Sequence, residues 1–267
     1  MTNTKTMHFV GGLPRTGATF ICNLLRQNPD VHGEPLSPLC STFDNIRFNW
    51  EKAAANTEVD NSVARDNMLR SMFDGYYAAR DKKIVFDKDL MWVKNIGPLE
   101  DLFQRKVKLL CLVRNPAEIL ASFEKLRNKA GMKVTVTDEA LRENSTIASR
   151  AYYYAGPQGM LGMSHAAVKD AITMGYQDRL LFVDYNRFCN SPKAQMKRIY
   201  DFFELPSFTH DFNNITQEEK YNDLATKLPG VHKIKPKVER TTVNCVQHLG
   251  LDLYQQYNSQ IFWDAWI

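Results

Sequence analysis

The chain has 267 residues, 44% hydrophobic and 24% charged, the composition of a soluble globular protein with ample core for one large domain or two small ones. Its 34 basic and 30 acidic residues leave a net charge of +4, too mild for a nucleic-acid binder but suited to an anionic ligand. Five scattered cysteines (Cys22, Cys40, Cys111, Cys189, Cys245) form no C-x-x-C pair, so neither a zinc site nor a disulfide framework is indicated and reduced thiols in a cytoplasmic protein are expected. The polar start, Met1 to Thr6, has no secretory h-region, and no run nears the ~20 apolar residues of a membrane span.

In chain order, Met7 to Val10 predicts a buried strand over 7–11. Phe20, Ile21, Leu24 and Leu25 then recur at helical spacing over 17–28. A loop rich in Pro and Ser follows, Gly33 to Ser41, and then a polar helical stretch at about 58–80. Ile84-Val85-Phe86 predicts a short strand, and 92–104 a helix. Val107 to Val113 is continuously apolar, the pattern of a parallel strand buried on both faces. Pro116 suits the first turn of the next helix. Residues 138–174 read as helix interrupted near Gly156-Pro157, and Leu180 to Val183 as another buried strand. Ser191-Pro192 opens a helix that runs to Phe203. Strands alternating with helices predict an α/β fold, a three-layer sandwich around a central, mostly parallel sheet of P-loop NTPase-like type. Beyond about residue 205 the pattern is less regular, and the late aromatics (Tyr254, Tyr257, Phe262, Trp263, Trp266) are expected in core or docking contacts.

The stretch from Phe9 to Thr19 carries the strongest chemical signal. Gly12 and Gly17 have the spacing of the loop G-x-x-x-x-G-K-[ST], and Thr19 holds the hydroxyl position, but Ala18 stands where the lysine belongs. A glycine-containing loop between a strand and a helix N-terminus offers free N–H groups and the helix dipole to an anion. The missing lysine is the one that reaches the β- and γ-phosphates of a triphosphate. With Arg15 as the cation inside the loop, a different anion is expected. The strand ending at Val113 meets Arg114 rather than an aspartate. An arginine there repels a metal ion and welcomes a phosphate in bidentate fashion, so no metal is expected. Ser122, two turns into the following helix, can donate one further hydrogen bond.

Four segments in order resemble the sulfotransferase family, whose donor is 3′-phosphoadenosine-5′-phosphosulfate. Pro14-Arg15-Thr16-Gly17-Ala18-Thr19 is similar to the family's 5′-phosphosulfate loop. Val113-Arg114-Asn115-Pro116, with Ser122 eight residues after Arg114, resembles the family's arginine–serine clamp on the 3′-phosphate. Phe182-Val183-Asp184-Tyr185-Asn186 followed by Ser191-Pro192 resembles a family strand-to-helix segment, with Asn186 where glutamate is usual. Lys88 in Phe86-Asp87-Lys88-Asp89 is the fourth. Phe9 to Leu25, Gly33-Glu34, Asp87-Lys88-Asp89 and Glu239-Arg240-Thr241-Thr242 are similar to stretches of protein-tyrosine sulfotransferases, so the landmarks span roughly residues 7–245.

The resemblance implies a single sulfotransferase domain over 1–267, with 205–267 as a less regular extension packed on it. It implies donor contacts from Arg15, Thr16, Gly17, Ala18, Thr19 and Phe20 at the loop, from Arg114, Ser122 and Tyr185, and from Arg240 and Thr241 in the basic late segment 231–242. Arg15 and Lys88 are then the candidates for stabilising charge on the bridging oxygen, and Glu34 the candidate base, with His32 as the alternative. The bland reading of Lys88 is a surface lysine paired with Asp87 or Asp89. His8 and His165, in strand-like and helical context, are expected to be structural. Tyrosine sulfotransferases carry two adjacent glutamates where this chain has Glu34-Pro35, which leaves Glu34 open as a substrate contact.

The expected partners are an anionic nucleotide donor and a hydroxyl acceptor, whether small molecule, glycan or peptide tyrosine, with no nucleic acid and no membrane span. Acceptor contacts are expected from a loop at 35–60 and from helices at 138–175. Tyr152-Tyr153-Tyr154 offers a stacking wall for an aromatic acceptor, with at least one ring in the core by helical spacing. Two other functions compete: a P-loop small-molecule or nucleoside kinase, which would press Lys88 and Asp89 into service, and a non-catalytic module that binds adenosine bisphosphate.

Overall fold

The computed structural model describes residues 5–54, 61–130, 145–218 and 232–267. Five parallel strands form the sheet among these residues: β1 (Thr6–Gly12), β2 (Val31–Glu34), β3 (Ile84–Lys88), β4 (Leu109–Val113) and β5 (Leu180–Asp184), in the order β2-β3-β1-β4-β5. In register, β1 pairs Val10 with Lys88 on one side and with Leu110 on the other. The first crossovers from β1 build outward to β2 and β3, and the next places β4 on its other flank. The carboxyl end of β1 is thus where the order reverses, the usual ligand crevice of an open α/β sheet.

The continuous apolar runs occur because helices cover both faces of the sheet. Alternate residues of β1 and β4 divide between two cores. Phe9, Leu109, Cys111 and Val113 face one, and Val10, Leu110 and Leu112 the other. The second core is closed by α1 (Ala18–Leu25), through Ile21, Leu24 and Leu25, and by α9 (Pro192–Phe203), through Met196, Ile199 and Phe203. The first is larger. It takes α2 (Leu39–Ala54), α3 (Ser62–Tyr76), a 3₁₀ turn at Leu90–Asn95, α4 (Ile96–Phe103), α5 (Pro116–Ala130), α6 (Ile147–Ala155) and α7 (Met160–Thr173). Short α8 (Tyr185–Asn190) follows β5 directly, and α10 (Cys245–Leu249) and α11 (Leu251–Asn258) pack on α5. Trp263, fully buried, carries the end of the chain into the first core.

Several expectations on the elements change. The segment read as loop from Gly33 begins inside β2, and most of the expected acceptor loop at 35–60 is α2. α2 buries only Leu39, Cys40 and Phe43, all in its first turns, so its sequence carries little helical periodicity. β2 is a four-residue edge strand whose pairing with β3 is non-local (Val31↔Ile84 to Glu34↔Asp87). α1 stops at Leu25, short of the expected 28, where a turn leads into β2. The helical stretch expected at 58–80 narrows to α3, and 138–144 lies outside the described residues. Arg150 and Glu124 form a buried two-bonded ion pair at 2.8 and 2.7 Å, fastening α6 to α5.

His8 is structural, as expected. It sits in β1 among Phe86 and Phe203, its Nδ1 without a hydrogen-bond partner. Burial, helped by Arg105 and Lys108, lowers its pKa from 6.5 to about 3. Across that interval the unfolded chain binds the extra proton, so stability falls as pH falls from 6.5 toward 3, by up to about 1.4 kcal/mol per pH unit. His8→Leu removes both the proton site and the orphaned nitrogen. We expect the melting temperature lost between about pH 7.5 and about pH 5 to shrink by roughly 4–8 °C in this variant, read by thermal unfolding at both pH values.

Candidate active site

At the carboxyl end of β1 the chain turns through Leu13 to Gly17 into α1. Gly12 has φ 106°, and a Cβ there would lie 2.3 Å from the carbonyl oxygen of Leu112 on the neighbouring strand, so a side chain is excluded twice over. Gly17, φ 80°, caps α1 in the left-handed region. The Thr16 hydroxyl donates to the Leu13 carbonyl at 2.9 Å and closes the turn. The first intrahelical bond runs from Ile21 N–H to Gly17 C=O at 2.9 Å, and no side chain caps the helix. The amides of Ala18, Thr19 and Phe20 therefore point out of the helix end with the positive pole of its dipole behind them. Arg15 itself has φ 61°, a left-handed backbone that costs a non-glycine residue roughly 1–2 kcal/mol. Its Nε donates to Ser122 Oγ at 3.2 Å.

Arg114 joins this loop to everything around it. Its guanidinium, on a residue only 4% exposed, donates to Glu118 Oε2 at 2.8 Å, to the Arg15 carbonyl at 3.1 Å and to the Thr241 carbonyl at 3.2 Å. It also lies 4.2 Å from the centre of the Tyr185 ring. Of five guanidinium N–H groups, three are engaged, leaving two for a ligand. The Tyr185 hydroxyl in turn accepts the Thr241 N–H at 2.9 Å. The late segment is thus strapped to the site at Thr241, and farther back by Val238 N–H to Phe212 C=O at 2.8 Å and Ile234 N–H to Gln217 Oε1 at 3.0 Å.

These groups wall a cavity of about 500 Å³, within the usual range for a bound small molecule. Arg15 to Phe20, Arg114, Ser122, Tyr185 and Thr241 all reach it, as does Lys88 at the end of β3. Lys88 makes no ion pair with Asp87 or Asp89 among the described residues. Strand alternation turns Asp87 the other way, fully buried, where Tyr77 OH and Trp92 Nε1 donate to its carboxylate, the latter at 2.6 Å. Burial raises the Asp87 pKa to about 6. Asp89 does line the cavity. One of its oxygens accepts Met91 N–H at 2.8 Å and caps the 3₁₀ turn.

Three expected site residues are not on the cavity wall. Glu34, the expected base, is 5% exposed and held by His32 Nε2 at 3.1 Å, with an Arg80 guanidinium nitrogen 3.7 Å away. His32, the alternative base, is consumed in the same pair. Arg240 is turned outward, 43% exposed in its side chain, and sits 3.7 Å from Glu118 Oε1. The expected tyrosine wall does not form either. Tyr152 and Tyr153 are exposed away from the cavity, and Tyr154 is buried against Phe123 with ring centres 4.5 Å apart. His165 is a docking residue, its Nε2 3.0 Å from the Gln260 carbonyl.

Glu118 was invisible as a site residue. It accepts from Arg114 and from Asn186 Nδ2 at 3.2 Å, so Asn186 has a role where the family glutamate is missing. Its signal was the four-residue step from Arg114, a spacing that brings a strand-end arginine onto the first turn of the next helix. The apolar part of the wall was also missed, although Met160 and Met163 stand at helical spacing.

Parallel strands, a glycine-bounded loop opening a helix with bare amides, and a cavity at the reversal of strand order define a P-loop-like α/β protein. Residues 8–210 match the model of the sulfotransferase family, and the chain belongs to that family. It is similar to protein-tyrosine sulfotransferase A of Caenorhabditis elegans, 24% identical over 214 residues, which cover 76% of this chain and 51% of the relative; the chain spans about half the length of that curated protein. Among solved structures it resembles a Mycobacterium avium sulfotransferase (TM-score 0.51, 14% identity, 97% of this chain and 77% of the other). It also aligns with the sulfotransferase domain of the Synechococcus PCC 7002 olefin synthase (TM-score 0.48, 14% identity, 96% of both chains). At 14% identity the Mycobacterium avium structure speaks to the fold alone. Among the described residues no helix is long and apolar enough to cross a membrane.

The strained Arg15 backbone yields a test. Arg15→Gly relieves the left-handed strain but removes the loop's cation and its bond to Ser122. We expect a melting temperature unchanged or raised by a few degrees, about 1 kcal/mol of relief, together with weaker binding of pyrophosphate by titration calorimetry.

Proposed function

We propose that the chain transfers a sulfuryl group from 3′-phosphoadenosine-5′-phosphosulfate to an acceptor hydroxyl, working as one domain over 1–267. The observation that carries this reading is the pair of anion seats in one cavity. The bare amides at Ala18–Phe20 form one, and Arg114 at the end of the adjacent strand forms the other. The Arg15–Ser122 hydrogen bond joins them. A donor with phosphate at both its 5′ and 3′ positions needs two such seats, and a nucleoside triphosphate needs one long one. Family membership supports the same reading.

The acceptor oxygen attacks sulfur in line. A new O–S bond forms as the bond from sulfur to the bridging phosphate oxygen breaks, giving a sulfate ester and 3′-phosphoadenosine-5′-phosphate. Arg15 and Lys88 stabilise the charge that develops on the bridging oxygen. Metal independence is part of the proposal. Arg114 occupies the strand end where a metal-binding carboxylate would serve a kinase, and a sulfuryl group carries less charge than a γ-phosphoryl group.

The acceptor proton needs a base, and the wall favours Asp89 over Glu34. Asp89 reaches the cavity beside Lys88 with one oxygen not used in capping, whereas Glu34 is spent on His32. Asparagine caps a helix as well as aspartate does, so Asp89→Asn removes the base and spares the turn. We expect it to lower kcat by roughly 10²–10⁴-fold, with bisphosphate affinity within about twofold, since no anion seat changes. Glu34→Gln is expected to lower the melting temperature and leave turnover within about tenfold, as for a group outside the chemistry. The reverse pattern returns the base to Glu34.

Titration calorimetry with 3′-phosphoadenosine-5′-phosphate beside ATP plus Mg²⁺ decides the donor. We expect metal-independent binding of the bisphosphate, weakened at least about tenfold in Arg114→Lys, which keeps the charge and loses the fork. Magnesium-dependent ATP binding with no response to the bisphosphate would turn the reading to a kinase. Bisphosphate binding without sulfation of any hydroxyl compound would leave a non-catalytic nucleotide-binding module.

A further inference from the structure

Part of the cavity wall is apolar. It includes Leu36 after β2, Leu90 and Met91 in the 3₁₀ turn, Phe123 on α5, and Met160 and Met163 on α7. α7 packs directly against the 3₁₀ turn, and Met160 and Met163, one turn apart, occupy the same face. Three of these side chains belong to residues that lack cover. Leu36 is 51% exposed, Met160 46% and Met163 40%. Apolar surface left open at a cavity mouth marks a binding surface, and methionine is the side chain that best adapts to apolar guests of varied outline.

Lys88 and Asp89, consecutive where β3 ends, both line this cavity. The other cationic groups of the cavity, Lys233, Lys235 and Lys237, belong to the strap, whose Ile234 and Val238 pack toward the α1–α9 core on the opposite side of the sheet. An acidic peptide would find its counter-charges at the donor end. A sugar would leave hydroxyls unpaired along an apolar wall, each at a cost in affinity. A molecule with one hydroxyl on an apolar body meets neither penalty, and Lys88 and Asp89 line the same cavity to receive that hydroxyl.

We propose that the acceptor is an apolar alcohol or phenol, its body held by Leu36, Leu90, Met91, Phe123, Met160 and Met163 and its hydroxyl placed at Lys88 and Asp89. The proposal rests on the sulfotransferase reading for its chemistry, though the chamber itself does not. In the reaction the acceptor's O–H proton passes to the carboxylate as its oxygen bonds sulfur, and the bisphosphate leaves.

The test is calorimetric titration of para-alkylphenols from ethyl to hexyl, with and without 3′-phosphoadenosine-5′-phosphate, followed by sulfation of the same series with labelled donor. Complete burial of each added methylene predicts affinity rising roughly fourfold per carbon. Met160→Glu and Met163→Glu, both at open positions, should each weaken the hexyl compound at least about tenfold by setting a charge in the apolar wall, while bisphosphate binding stays unchanged. An acidic tyrosine peptide and a disaccharide serve as rival acceptors. Affinity that does not depend on chain length overturns the proposal, as does preferred turnover of the peptide or the sugar. If the bisphosphate fails to bind, the sulfotransferase reading fails by itself, and the alkylphenol series without nucleotide still decides the chamber.

Discussion

The Arg114 guanidinium is the contact on which the site depends. One buried cation holds the strained loop at the Arg15 carbonyl, the strap at the Thr241 carbonyl and the start of α5 at Glu118. Tyr185 packs against its face and fixes the strap a second time through Thr241 N–H. A buried charge is tolerated only when paired and hydrogen-bonded, and Glu118 supplies both. Glu118 is itself steadied by Asn186 and Arg240. The arrangement spends three donors of the arginine on the protein and reserves the rest, so the anion seat is ordered before any ligand arrives. Such preorganisation lowers the cost of binding a multiply charged donor.

A second cluster does comparable work on the other side of β1. Asp87 is buried with Tyr77 and Trp92 on its carboxylate, and Glu34 is buried with His32 one strand away. These polar groups lie behind the cavity wall. Because side chains alternate along β3, anchoring Asp87 on one face fixes Lys88 on the other, where it lines the cavity. The same alternation accounts for the position of Glu34. Its motif suggests chemistry, but its partner in the fold is an imidazole already engaged in a pair.

The cavity therefore has two chemistries. Amides, arginines and the lysine-bearing strap line it, and so do the leucine, methionine and phenylalanine of the 3₁₀ turn, α5 and α7. Lys88 and Asp89 line the same cavity. Charge separation of this kind suits a reaction in which an anionic donor and a poorly charged acceptor share one cavity but need different surroundings.

Much of this was readable along the chain. β1, β4 and β5 declare themselves because a doubly covered parallel strand is apolar along nearly its whole length. The loop declares itself through Gly12 and Gly17, whose positive φ angles leave little choice of residue. Arg114 and Ser122 were legible as an anion seat because a strand end and the next helix fix their separation. β2 and α2 were not, since β2 exists through its pairing with β3 and α2 buries only its first turns. By itself the sequence determined the layered α/β order, the anion loop lacking its lysine, and the likeness to a family. Only the tertiary structure decided that Glu34 and Arg240 turn from the cavity, that Glu118 organises its arginine, and that residues from Leu36 to Met163 form one apolar wall. The reason is physical: local periodicity encodes which face of an element is buried, whereas a wall assembled from four separate segments is set by how those elements pack.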